Sequence, residues 1–211
     1  MPKKSFHFMV LLILIPVLSG CVSMARSPSP RFYRLTPIEQ GQPEGDFKME
    51  SGVIVGVGPI KIPEYLNRPQ MVTVDKNRMM NFAQFDRWGE PLDLAILRTL
   101  TENLTLSMAG ADIEIYPWNM FIPVRLQVVL DVAQIDVDLE KDLVLVVRWS
   151  VLDIKNKSLF LSRRTVLKEP VKPSNYSGVA AALSSVLRRL SNEIILELSQ
   201  VPIKDINKPK V

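Results

Sequence analysis

Val124, Leu126, Val128, Leu130 and Val132 fall at every second position, with Arg125, Gln127 and Asp131 between them. Period two over this length means an extended strand with one buried and one solvated face. Ile135, Val137 and Leu139 then continue with the opposite parity. A change of phase inside a strand predicts a bulge near Ala133-Gln134, because one inserted residue turns every later side chain to the other face. "LVLVVRWSVLDI" (143–154) and "LFLSRRTVLKE" (159–169) follow, joined by the turn residues Lys155 to Ser158. Together they predict a three-stranded antiparallel meander, ended by Pro170 and Pro173. A sheet with one apolar face needs a cover. The next segment supplies it: Tyr176, Val179, Ala180, Leu183, Leu187, Leu190, Ile194 and Leu198 form one helical stripe that excludes Arg188, Arg189, Asn192 and Glu193. The spacing predicts a core-facing helix of about 25 residues, with Ser174 as its N-cap.

Upstream the elements are shorter. "RFYRL" (31–35) reads as a strand with Phe32 or Tyr33 facing in, and residues 36–51 read as a polar loop. Val53 to Val57 is an apolar strand ended by Gly58-Pro59, and two prolines mark a tight turn within residues 60–70. Residues 71–75 and 78–88 are strand-like around Lys76-Asn77. Pro91 suits the first turn of a helix, and Leu92, Ile96, Leu97, Leu100, Leu104 and Met108 give it an apolar face. After Gly110, "DIEIYP" is a further short strand. The order predicts a single α+β domain over residues 31–203, a mainly antiparallel sheet with two amphipathic helices packed on it, and a polar tail at 204–211.

The N-terminus carries a separate message. Lys3 and Lys4 precede an apolar run from Phe8 to Val17, and Leu18-Ser19-Gly20 lead to Cys21, the one cysteine among 211 residues. This is the order of a secretory signal peptide over residues 1–20, too short for a permanent span. Leu-Ser-Gly-Cys resembles the bacterial lipobox, which implies diacylglycerol and an N-acyl chain on Cys21, and a lipidated tether over residues 21–30. Two or more acyl chains hold a soluble domain firmly to a membrane. Val22, rather than Asp, follows the cysteine, which by the sorting rule of enteric lipoproteins implies the outer membrane.

Processing also removes chemistry. His7, the one histidine, leaves with the leader, as do two of the 26 basic residues, bringing the charge near balance with 22 acidic ones. That balance gives no electrostatic case for nucleic acid. Without histidine or a free thiol the mature chain can build neither a Ser-His-Asp or Cys-His site nor a His/Cys metal site, so no cofactor or metal is expected. Asp136, Asp138 and Glu140 alternate on one strand. They read as a solvated face running into a turn rather than as paired catalytic acids or a calcium loop. Arg163-Arg164 and Arg188-Arg189 read as surface charge, and Trp88 and Trp149 chiefly as core anchors.

"VGVGPIKIPEYLNRPQMVT" (55–73) and "FDRWGEPLDLAILRTLTENL" (85–104) resemble the ABC-type transport auxiliary lipoproteins, the PqiC-like family of paraquat-inducible protein C. "FYRL" after the lipid cysteine and the final helix also fit. The resemblance implies a non-enzymatic partner of an MCE-domain subunit, in a system moving lipids or hydrophobic compounds across the envelope. It leaves open whether the chain forms a homo-oligomeric ring. Pro63, Glu64, Tyr65, Leu66, Arg68 and Pro69, with Arg87, Trp88, Glu90 and Pro91, form the motif centre. Tyr65, Arg68, Arg87 and Trp88 are the candidate partner-binding residues. The same groups serve equally as a packing solution where a proline-flanked turn meets a helix start. An assembly lipoprotein of a secretion machine and a carboxylate-based cell-wall glycan hydrolase are the alternatives, and an adjacent MCE protein, permease and ATPase would decide for transport.

Overall fold

In the computed structural model of the protein, residues 28–38 and 47–202 are described. The leader, Cys21, most of the tether and the polar tail lie outside them. Among the described residues eight strands form two sheets: β1 (Arg31–Tyr33), β2 (Phe47–Lys61), β3 (Gln70–Val74), β4 (Met80–Trp88), β5 (Met108–Ile115), β6 (Leu126–Val137), β7 (Asp142–Asp153) and β8 (Ser158–Pro170). The helices are α1 (Leu92–Ser107) and α2 (Tyr176–Ser199). A small sheet has the order β1-β4-β3, and a five-stranded sheet has the order β5-β2-β6-β7-β8.

The meander from β6 to β8 is antiparallel, and its ladder skips Ala133 between Val132 and Gln134, the bulge expected from the parity switch. Beyond it Ile135 and Val137 return to the buried face. The helices lie together on that face. Leu183, Leu187, Leu190, Ile194 and Leu198 are fully buried, each contributing about 1.5–3 kcal/mol of transfer free energy. Trp149 is also buried, and its indole N–H donates to Thr165 Oγ1 at 3.1 Å, which in turn donates to Glu193 on α2 at 2.8 Å. A core indole with its polar end satisfied avoids the cost of an unmet donor. Asn103, between two apolar turns of α1, donates to Ser191 on α2 at 3.0 Å and accepts from the Ile38 N–H at 2.9 Å.

The sheets are mixed rather than mainly antiparallel. β2 pairs in parallel with both β5 and β6, and β1 pairs in parallel with β4. β2 also runs further than expected. It begins at Phe47, inside the stretch read as loop, and continues through Gly58-Pro59 to Lys61. The ladder with β6 shifts register between Val57 and Ile60, and the Gln127 side chain donates to the Gly58 carbonyl at 2.8 Å. Gly58 takes φ +109°, which only glycine adopts cheaply. The break is thus absorbed inside the strand. The α2 N-cap is Asn175 rather than Ser174, its side chain accepting from the Gly178 N–H at 3.1 Å.

Candidate functional site

The small sheet assembles the two motif segments. β2 ends before a 3-10 turn at Glu64–Leu66, closed by Leu66 N–H to Pro63 O at 2.9 Å. The chain then enters β3, and the Trp88 N–H at the end of β4 donates to Pro69 O at 2.8 Å. Gln70 and Phe32 both stand opposite Arg87 in the ladders. The Pro63–Pro69 turn and the Arg87–Pro91 helix start are therefore neighbours.

Each candidate residue has a distinct environment. Tyr65 is half-buried, and its hydroxyl accepts the Ile135 N–H at 3.3 Å. That N–H faces an edge of β6 left unpaired because the ladder with β2 ends at Lys61 and Asp131. Burial pushes the Tyr65 phenol pKa up. Leu66 and Trp88 are buried beside Met71, Leu92, Leu143 and Leu183. Trp88 is only 7% exposed, which leaves its ring in the core. Arg68 is exposed and lies over the Phe82 ring, 4.3 Å from its centroid. Arg87 is half-buried, and its Nε is enclosed without a hydrogen-bond partner among the described residues. Glu90 holds Arg98 at 2.7 Å, and Arg98 also donates to the Leu35 carbonyl at 3.2 Å.

One residue escaped the sequence reading. Asp86 is 4% exposed, yet it accepts from Arg31 Nε at 2.8 Å, Arg31 Nη2 at 2.7 Å and the Tyr33 hydroxyl at 2.7 Å. The Arg31 hydrogen bonds hold its carboxyl below the usual range, against the opposing effect of burial. The Tyr33 phenol is pushed up by burial and by donating to this carboxylate. This cluster pins β1 to β4 from beneath. On the other side the sheet presents Phe32, Phe82 and Met80 to solvent, Phe32 at 65% exposure. Their ladder partners include Arg87, Val72 and Val74. The result is an apolar face bearing two arginines, one of them with an unmet donor.

The acids behave differently. Asp136, Asp138 and Glu140 border an open cleft of about 370 Å³ and its neighbour, between the β3–β4 turn and the β6–β7 turn. Lys76 pairs with Glu140 at 3.1 Å and Lys141 with Asp138 at 3.3 Å. Asp138 is held below its ordinary pKa, first by the Glu140 backbone N–H. Among the described residues the buried carboxylates are Asp86 and Asp153, and Arg125 holds Asp153 at 2.8 Å. A glycosidase acid must stay protonated near neutrality through a raised pKa; Asp86 and Asp138 are shifted the other way. Of the paired arginines, Arg163 meets Glu197 at 2.7 Å and Arg189 donates to the Lys168 carbonyl at 2.9 Å. Among the described residues no group of three or more His, Cys, Asp or Glu is placed to hold a metal ion, and no helix is long and apolar enough to cross a membrane.

The family of ABC-type transport auxiliary lipoprotein components matches residues 33–195 of the chain. Among solved structures, an uncharacterised protein superimposes with a TM-score of 0.66 at 17% identity, covering 81% of this chain and 99% of its own. A Xanthomonas campestris protein of the DUF330 family gives 0.62 at 13% identity, covering 81% and 97%. At such identities the likeness is one of fold. No curated protein matches significantly.

Proposed function

The chain belongs to the family of ABC-type transport auxiliary lipoprotein components, and from that membership we propose that it is a non-enzymatic docking subunit. Membership associates it with an ABC transport system of the cell envelope. In the proposed reading, lipid on Cys21 holds the domain to the periplasmic face of the outer membrane. There it receives the MCE-domain subunit of a system that moves lipids or other hydrophobic compounds.

The observation that carries the reading is the outer face of the small sheet. Half-exposed Arg87 stands on a surface that also exposes Phe32, Phe82 and Arg68. Arginine and aromatic side chains are the types enriched where binding energy concentrates. The Tyr65 hydroxyl is engaged by β6 and Trp88 is inside the core. The two arginines are thus the residues free to make the contact.

Arg68→Ala and Arg87→Ala test it. Each is expected to weaken co-purification with the MCE subunit, by about 30-fold in Kd if the residue is a hot spot worth about 2 kcal/mol. Arg68→Ala removes only an exposed cation–π contact, so its stability should fall by no more than about 1 kcal/mol. Full binding by both folded variants would overturn the docking role and leave the motif as packing alone.

A further inference from the structure

The segment "YPWNMFIP", residues 116–123, joins β5 to β6 and carries no charge. Its tip is bare: Met120 is 87% exposed and Phe121 is 85% exposed. Yet the loop is held firmly. Asn119 Oδ1 accepts the Phe121 N–H at 3.0 Å, and the Ile122 N–H closes on Asn119 O at 2.9 Å. Trp118 packs its ring edge-to-face with Tyr116, 5.5 Å between centroids, and lies on Gly56 of β2 so closely that no Cβ fits there. A rigid turn that presents two large apolar side chains outward has been built to be covered, since scattered exposed apolar residues need no such support.

The turn between β7 and β8 lies at the same end of the five-stranded sheet. Leu126 is paired with Asp153, and the Ile154 N–H donates to Arg125 O at 3.0 Å. This turn adds exposed Ile154 and Leu159, together with Lys155 and Lys157, which have no acidic partner among the described residues. Asp153 is neutralised by Arg125 and bonded to Asn156. Asp112 and Glu114 lie back along β5, and Asp93 sits on α1 at the rim shared with Tyr116 and Pro117. The tip therefore pairs apolar side chains with unneutralised lysines.

The tether points to the occupant. Tyr33 is fixed to Gly89, just ahead of α1, and Tyr116 and Pro117 border Asp93, Leu94 and Leu97 in its first turns. β1 runs from the tether toward this same end of the helix, with Pro28 five residues and at most about 18 Å short of Tyr33. The stretch from Cys21 to Pro28 reaches at most about 25 Å. We propose that this end seats on an anionic lipid bilayer, with Met120 and Phe121 in the interfacial layer and Lys155 and Lys157 at the headgroups. Large apolar side chains ringed by lysine and aromatic residues are the pattern of segments that lie on a bilayer without crossing it. The contact rests on the anchor reading above; it adds an orientation to an attachment.

The test uses the full lipidated chain carrying Phe121→Trp, bound to vesicles of phosphatidylethanolamine and phosphatidylglycerol with bromine high on the acyl chains. Met120→Trp is a second probe of the same tip. The added tryptophan should shift to the blue and be quenched beyond the parent protein. Lys155→Ala with Lys157→Ala should lose much of that quenching. Flotation with the vesicles but no quenching of either probe overturns the loop contact and leaves the anchor standing. A probe insensitive to lipid that shifts only on adding the MCE subunit makes the loop a protein contact, which also overturns the proposal. A chain that does not float overturns the anchor and this contact with it.

Discussion

Asp86 shows how a single side chain can decide where a strand docks. In the sequence it sits in an alternating segment between Phe85 and Arg87, where an acid reads as solvated. Its burial depends on β1, more than fifty residues upstream, arriving in parallel register. The signal was present but non-local: Arg31-x-Tyr33 and Asp86-x-Trp88 share a two-residue spacing, and the pairs align in the ladder. Tyr65 illustrates the converse, since motif position alone did not reveal that its hydroxyl is engaged, whereas Trp88 lies in the core as its residue type suggested. Asp86→Asn is expected to destabilise the domain by about 1–2 kcal/mol through its lost charge-assisted hydrogen bonds. The folded-state pKa of Asp86 is depressed. Its contribution is therefore complete above the unfolded carboxylate value of about 4 and is lost as pH falls through the lower folded one. Denaturant titrations at pH 7 and pH 3 should show the gap between wild type and Asp86→Asn narrowing in acid. A gap independent of pH would assign the effect to shape rather than charge.

At the level of elements, what could be read depended on whether the pattern was local. The β6 bulge, the meander and the buried stripe of α2 follow from parity and helical spacing, which neighbouring residues carry. β2 does not. Its centre is flanked on both sides by parallel partners that come from beyond α1, and Gly58-Pro59 breaks the local pattern without breaking the strand. Gly56 in this strand was read as part of an apolar run, and its function became visible only with Trp118 lying on it. Gly56→Ala should therefore cost about 1–3 kcal/mol by overpacking. Combining it with Trp118→Ala should recover part of that loss, because the clash is with the indole. Thermal melts of the double-mutant cycle read the coupling; simple additivity would place the strain elsewhere.

For the molecule as a whole, the α+β class and the two helices were legible. The division into two sheets was not, because the small sheet is held by β1, only three residues long. The proposed docking face belongs to that sheet and so was equally hidden: its residues were named from motif likeness, without the exposed Phe32 and Phe82 that surround them. The membrane attachment is proposed for Cys21 alone, together with the loop contact it orients. Cys21→Ser should leave a precursor that is unprocessed or mislocalised, and the readout is fractionation of membranes after a carbonate wash. Retention of the variant in the washed pellet with its leader removed would refute the lipid anchor.

Residues 31–38 do more than start the fold. Behind the Arg31–Asp86 clamp, Arg98 of α1 holds the Leu35 carbonyl, the Thr36 N–H donates to Ser184 of α2 at 3.1 Å, and the Ile38 N–H donates to Asn103 of α1. If the chain is tied to a membrane at Cys21 as proposed, any tug between the membrane and a docked partner would reach the domain through this strap. β1 runs parallel to β4, so a pull along it strains its hydrogen bonds together rather than peeling them one by one. Load that passes β1 is handed to both helices in succession. Under the proposed anchor this segment would be a mechanical coupling, transmitting tension into the body of the protein before the strand order is disturbed.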